Sequence, residues 1–522
     1  MSAFDGNSAR QLVPRWRNWR TTVLLGECSG GHRFQVKAPA IDKESALAKY
    51  RERPNAGRAS ELFTTALMYD LRDERFASIA CEFSNDPLPL LRALAEATNM
   101  KSEQRARALL ESEPTDPQVR VAYLKMALAR HPRNPFRWAD LAREYTVLAQ
   151  PRKATQAMRA ALAIAPGNRF VLRSAAALFV HTDELDKALH YLQTAPKLTT
   201  DPWILAPYVA VSELAEQKRL HHRETMRLLE DDNFGLRDRA ELAAALGTSE
   251  VHVGSGRRGR QLLRMSAENP TDNSLAQVEW MSVQLNSRLI EDSLPVIPHD
   301  FEAQARRAAY EGRWQDAVAS SAEWLDDQPF SPTAASFGSF SASMFEDWGS
   351  TIRMAEDGLS ANPGDPILLN NKALALVEIG ELKEAIKILM DCRNMNVDGR
   401  NRAVLNATEG MLFFRAGRAD EGRRRYKSTI SYFTQLRESS TAAHAALMLA
   451  YEEKLACTPE IALSLESATK LIGEYPTSDL VTLQGRISLL SRRERVGNGI
   501  VSIEMPQLAE PLLKLDVASE PT

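Results

Sequence analysis

A 34-residue echo runs through this 522-residue chain and constrains its fold more than any other feature. Pro132 and Pro166 lie 34 apart, as do Pro329 and Pro363, while Gly312 and Gly380 are separated by 68, and so are Ala317 and Ala385. The clearest unit reads Trp138, Leu141, Ala142, Tyr145, Ala154, Met158, Ala161, Pro166. A period of this length is one helical hairpin, too thin to bury its own apolar face, so successive hairpins must stack. Ala142, Ala154, Ala161, Ala176 and Ala188 let paired helices approach closely, and Trp138, Tyr145 and Phe179 fill the gaps between them. The closing prolines end one helix and set the turn before the next. The expected fold is all-α: an α-solenoid of helical hairpins in two arrays, with a small irregular N-terminal appendage.

The phase of the repeat divides the chain. Residues 1–58 do not follow it and are read as a basic arm. Residues 59–293 form a first array, clearest over 101–202 and fading after 203, though helical patterning continues. Leu294 to Pro298 is a proline-bounded break, so 294–300 is read as a linker. Residues 301–491 form the second array, with Asp479 to Ser491 as a capping helix, and 492–522 a loose tail. Within the arm, Thr21 to Glu27 and Arg33 to Lys37 are read as two short strands.

The unit quoted above resembles the tetratricopeptide repeat, with Met158 where that family places Phe. The resemblance covers roughly seven units, over about 101–202 and 298–476. It implies a protein-binding scaffold in which the first helix of each hairpin lines a groove. Mapped onto this sequence, the groove residues are Asp140, Arg143, Phe170, Arg173 and His181 in the first array. In the second they are Phe337, Phe340, Met344, Asn370, Asn371, Leu374, Met411, Phe414 and Arg415. Asn371 stands where family members often place an asparagine that holds a ligand's backbone; its amide carries both donors and an acceptor. The carboxylate clamp of the chaperone-binding members is absent, since Ser336 and Phe340 occupy the preceding positions. Phe340, Met344, Met411 and Phe414 point instead to an apolar ligand, an amphipathic helix or an extended segment.

Charge narrows the alternatives. The net charge of −3 gives no general attraction to nucleic acid or acidic lipid. Residues 1–60 nevertheless hold 11 Lys+Arg against 5 Asp+Glu, a balance of +6 that leaves −9 on the remainder. Arg15, Arg17 and Arg20 alternate with Trp16 and Trp19, which are read as packing anchors ahead of stacking platforms for bases. Arg415, Arg418, Arg423, Arg424, Arg425 and Lys427 form a second cluster, read chiefly as a solvated outer face and otherwise as a contact for an anionic partner.

Other chemistries find little support. Gly254 to Gly259 matches G-x-G-x-x-G after a strand-like Glu250 to Val253, but no βαβ alternation surrounds it, so it is read as an inter-helix loop. The nine histidines and four scattered cysteines have no metal-ligand spacing, and no nucleophile motif occurs. No catalytic residue, metal or cofactor is expected. No apolar run approaches the roughly 18 residues of a membrane span and no leader pattern opens the chain, so no membrane association and a cytoplasmic location are expected. The expected function is an intracellular scaffold or adaptor, a subunit of a multiprotein complex holding a protein partner. The alternative is a nucleic-acid-binding or regulatory solenoid using the arm and the arginine cluster.

Overall fold

The computed structural model describes residues 12–24, 47–48, 50–54, 116–217, 221–290, 294–473 and 476–490. The units expected between 59 and 115, the second proposed arm strand and the 492–522 tail lie outside them. Among the described residues there are 22 helices and no strand. They fall into two compact units that meet in the chain between Ala303 and Gln304, a few residues after the segment read as linker.

The first unit opens with α1 (Trp19–Leu24), then α2 (Pro117–Arg130). Hairpins follow as α3 (Pro135–Val147) with α4 (Pro151–Ile164), and α5 (Arg169–His181) with α6 (Leu185–Gln193). Next come α7 (Pro202–Leu214) with α8 (His222–Glu230), α9 (Leu236–His252) with α10 (Gly256–Glu268), and the single α11 (Asp272–Gln284). The faded stretch after 203 is therefore as regular as the rest. Its hairpins still close on small residues, as where Gly259 of α10 meets Gly247 of α9.

The second unit follows from α12 (Phe301–Tyr310), which spans the division, and pairs it with α13 (Trp314–Asp327). It continues with α14 (Pro332–Met344) and α15 (Trp348–Ala361), then α16 (Pro366–Glu378) and α17 (Leu382–Arg393). The pairs α18 (Gly399–Arg415) with α19 (Ala419–Gln435), and α20 (Ser439–Leu455) with α21 (Ile461–Leu471), precede a final α22 (Ser478–Leu489). Within each unit, taken separately, neighbouring first helices touch one another as well as their own partners and so share a face. Each unit by itself is an all-α stack of helical hairpins, of the kind the tetratricopeptide resemblance implies.

Local chemistry sets these boundaries. A cap followed by proline starts many first helices: Asn134 before Pro135, Asp201 before Pro202, Ser331 before Pro332, Asp365 before Pro366. Asp365 accepts from the N–H groups of Ile367 and Leu368, both at 2.9 Å, and proline has no N–H to leave unsatisfied there. The turns inside hairpins need a left-handed residue. At Gly380 φ is +85°, and the Glu381 N–H closes back on the Leu376 carbonyl at 2.8 Å.

Two strand readings are corrected. Thr21 to Leu24 is helical because Asn18 caps it, accepting from the Thr21 N–H at 2.9 Å; residues 25–27 lie outside the described residues. Glu250 to His252 is the end of α9 and Val253 its cap. The motif's last glycine does packing work: a Cβ at Gly259 would stand 2.5 Å from the Val251 side chain and 2.8 Å from the Gly247 carbonyl.

Candidate functional site

In the first unit the face made by the first helices is covered by the chain's own arm. Residues 12–18, outside any helix or strand, cross it and lead into α1. Leu12 is buried among Ala210, Ala244 and Ala245 of α7 and α9. The Val13 carbonyl accepts from the Asn273 amide at 3.0 Å, and the Trp16 carbonyl accepts from Arg143 Nε at 2.9 Å. Asp140 takes the Trp19 N–H at 3.0 Å, and the Trp19 ring lies against Phe136, centroids 5.9 Å apart. Both tryptophans are almost fully buried. Arg15 and Arg17 converge on Asp272 at 3.3 and 2.6 Å, and Arg15 also pairs with Glu302.

Asp140 and Arg143, read from sequence as groove residues, contact main-chain atoms of the arm. Arg173 serves the scaffold: it pairs with Glu241 at 2.8 Å, donates to the Trp203 carbonyl at 3.0 Å and lies over the Trp203 ring. Phe170 is buried against Phe136. Burial holds His181 below its usual pKa. The Arg20 side chain is outside those described.

In the second unit the corresponding face carries Phe340, Met344, Asn371, Leu374, His444, Met448 and Tyr451, from α14, α16 and α20. Lying across it is α22, whose Leu480, Leu483 and Ile487 are buried. Its contacts reach from the last hairpin to the first. Asp479 meets His444 Nδ1 at 2.9 Å, Ser478 donates to the Ala309 carbonyl at 2.6 Å, and Trp314 Nε1 donates to Thr482 at 2.8 Å. Arg486 donates to the Ser343 carbonyl at 2.6 Å and pairs with Glu346 at 3.3 Å. The helix expected to cap the array lies on its inner face.

The asparagines tie first helices together. Asn371 donates to Ser339 Oγ at 2.9 Å, and Asn370 accepts from Thr408 at 2.7 Å. Phe337 and Met411 are core residues, and Phe414 packs on Tyr426. Arg415 bridges Glu378 and Glu452, each at 3.0 Å. Burial raises the Glu378 carboxyl and pushes that of Glu452 up to about 7, even though Arg415 opposes both.

The other arginines of that cluster are also matched with carboxylates. Arg423 meets Glu453 at 2.5 Å and Asp420 at 2.7 Å, and Arg425 meets Glu409 at 3.3 Å. Arg424 points outward, 73% exposed and 3.9 Å from Glu421. Asp272, Asn273, Glu302, His444, Asp479 and Arg486 are the residues that sequence reasoning missed. Their partners lie 35 to 287 positions away or across a groove, where no local pattern could signal them.

Among the described residues no group of His, Cys, Asp and Glu is placed to hold a metal ion. No helix there is long and apolar enough to cross a membrane. No protein-family model matches this chain, and no curated protein matches its sequence. Among solved structures it is similar to a human IFIT1 dimer with PPP-AAAA, at 14% identity over 63% of this chain and 89% of that one, TM-score 0.36. It is also similar to the APC/C hetero-tetramer Cut9–Hcn1, at 12% identity over 90% and 95%, TM-score 0.40. Within each unit the stacked hairpins form a helical-repeat array.

Proposed function

We propose that this chain is a protein-interaction scaffold, a subunit of a larger assembly, that takes polypeptide segments against the first helices of its arrays and performs no catalysis. One observation carries the reading: in both units that face is already engaged with polypeptide remote in sequence, irregular in one and helical in the other. The first unit reads main chain directly. Arg143 and Asn273 donate to carbonyls and Asp140 accepts an N–H, the chemistry by which an extended segment is held whatever its side chains. In the second unit the face around Phe340, Met344 and Met448 is apolar, with polar groups at its margins, as suits one side of a helix.

The arginines that would serve a nucleic-acid partner favour the scaffold reading instead. Arg15, Arg17 and Arg423 all face carboxylates of the chain, which leaves little charge for releasing counterions from phosphates. A photo-crosslinking amino acid placed at Trp348 or Tyr451, beside the face of the second unit, tests the idea in cells. Discrete protein adducts are expected there and not at Arg424 on the outer side. Equal labelling at all three positions would defeat it.

A further inference from the structure

The helix seated on the second unit describes, by its own chemistry, what that seat accepts. With 12 residues, α22 is at the length below which an isolated helix barely holds in water, so docking keeps it helical. One stripe docks. Leu480, Leu483 and Ile487 recur at i, i+3 and i+7 and are buried, while Val481 and Leu489 on other sides are exposed. Polar contacts mark the two ends of the stripe, Asp479 on His444 and Arg486 on Glu346 and the Ser343 carbonyl. The seat is not fully filled. A cavity of about 20 Å³ remains beside Leu483, bordered by Phe340, Met344, Leu374 and Met448. Two of these are methionines, whose unbranched side chains adapt to a different neighbour.

From these contacts we infer that the second unit is a receptor for an amphipathic helix of a partner protein, and that α22 is the resident occupant such a helix displaces. The pattern required is Asp, apolar, two of any kind, apolar, two of any kind, Arg, apolar, with a side chain bulkier than leucine at the Leu483 position. A larger group there reaches the unfilled space, which α22 leaves empty. This rests on the scaffold reading and narrows its partner to one class.

Labelled peptides spanning residues 476–490 test it, in three forms: the native sequence, Leu483→Phe and Leu483→Asp. Each is titrated by fluorescence anisotropy into the full native chain and into a full chain carrying Leu480→Asp and Leu483→Asp, which unseats its own α22. The altered chain should bind the native peptide at least about tenfold more tightly than the native chain does, because a tethered α22 competes at an effective concentration of order millimolar. The Leu483→Phe peptide should bind more tightly than the native peptide to both chains, and the Leu483→Asp peptide should fail. Hydrogen exchange on the native chain with excess Leu483→Phe peptide should show α22 losing protection while α14, α16 and α20 keep theirs.

Absence of binding to either chain, with helix content preserved, overturns the inference. If the doubly altered chain does not fold, Arg486→Glu, which sets like charge against Glu346, replaces it, and the exchange experiment on the native chain decides independently. Self-association of the altered chain, seen by size-exclusion chromatography, would make a second copy the occupant and remove the foreign helix. Crosslinks persisting at Trp348 with no peptide bound would leave the scaffold standing and remove only this class of partner.

Discussion

Ala154 and Ala385 are completely buried on the second helices of their hairpins, each the small residue of its repeat. Leucine at either position forces three more carbons into a filled contact and should lower stability by roughly 1–3 kcal/mol, read as a reduced urea midpoint at unchanged slope. Gly259 is tighter still, because one atom facing its missing Cβ is the backbone carbonyl of Gly247. Gly259→Ala should therefore destabilise the chain although alanine is the better helix former. Glu452 gives a pH signature. Its folded pKa of about 7 lies above the ordinary carboxylate value, so its protonated form favours folding fully below about pH 4.5, and that benefit is lost as pH rises through 7. Glu452→Gln should flatten that part of the stability profile, by up to about 3 kcal/mol between urea titrations at pH 4.5 and 8. Burial would raise Asp479, but hydrogen bonds from His444 and Thr477 hold it well below the usual range, so its contribution fades only as pH falls below about 4. The small residues were legible because sterics fixes their type at a fixed spacing. The carboxylates were not, since any acidic residue near an arginine in space looks like every other one in sequence.

Among the elements, the arm shows where sequence reading succeeds and where it stops. Trp16 and Trp19 were readable as anchors because so much apolar surface has to be buried against something. What they anchor to was not readable, because Asp272 stands 255 positions from Arg17. The pairing has a measurable cost when broken. Asp272→Ala removes the carboxylate shared by Arg15 and the nearly inaccessible Arg17, and should destabilise the first unit by about 3–5 kcal/mol, as expected when one partner of a buried pair is deleted. Calorimetry beside Asp272→Asn, which keeps the shape without the charge, would separate the electrostatic part. Thr21 to Leu24 looked extended because two threonines and a valine in a row suit a strand. A single asparagine cap reversed that preference locally.

For the molecule as a whole, the 34-residue period was enough to specify stacked hairpins, since each unit has nothing but its neighbours to bury against. It was silent on the fact that the faces so formed hold segments of the same chain, because those segments lie outside the period. Opening measured by native-state hydrogen exchange should accordingly spread between adjacent hairpins. Ala385→Leu should weaken protection in α14 to α19 and leave α3 to α6 unchanged. The arm adds a matter of timing. Asp272 and Asn273 are made about 255 residues after the arm, and at 5–20 residues per second that interval is on the order of 10–50 s. Throughout it Arg15 and Arg17 lack the carboxylate they share, although α3, against which Trp19 packs, is complete about midway. The nascent chain thus seats the arm in two stages, its tryptophan end on α3 and then its arginines on α11.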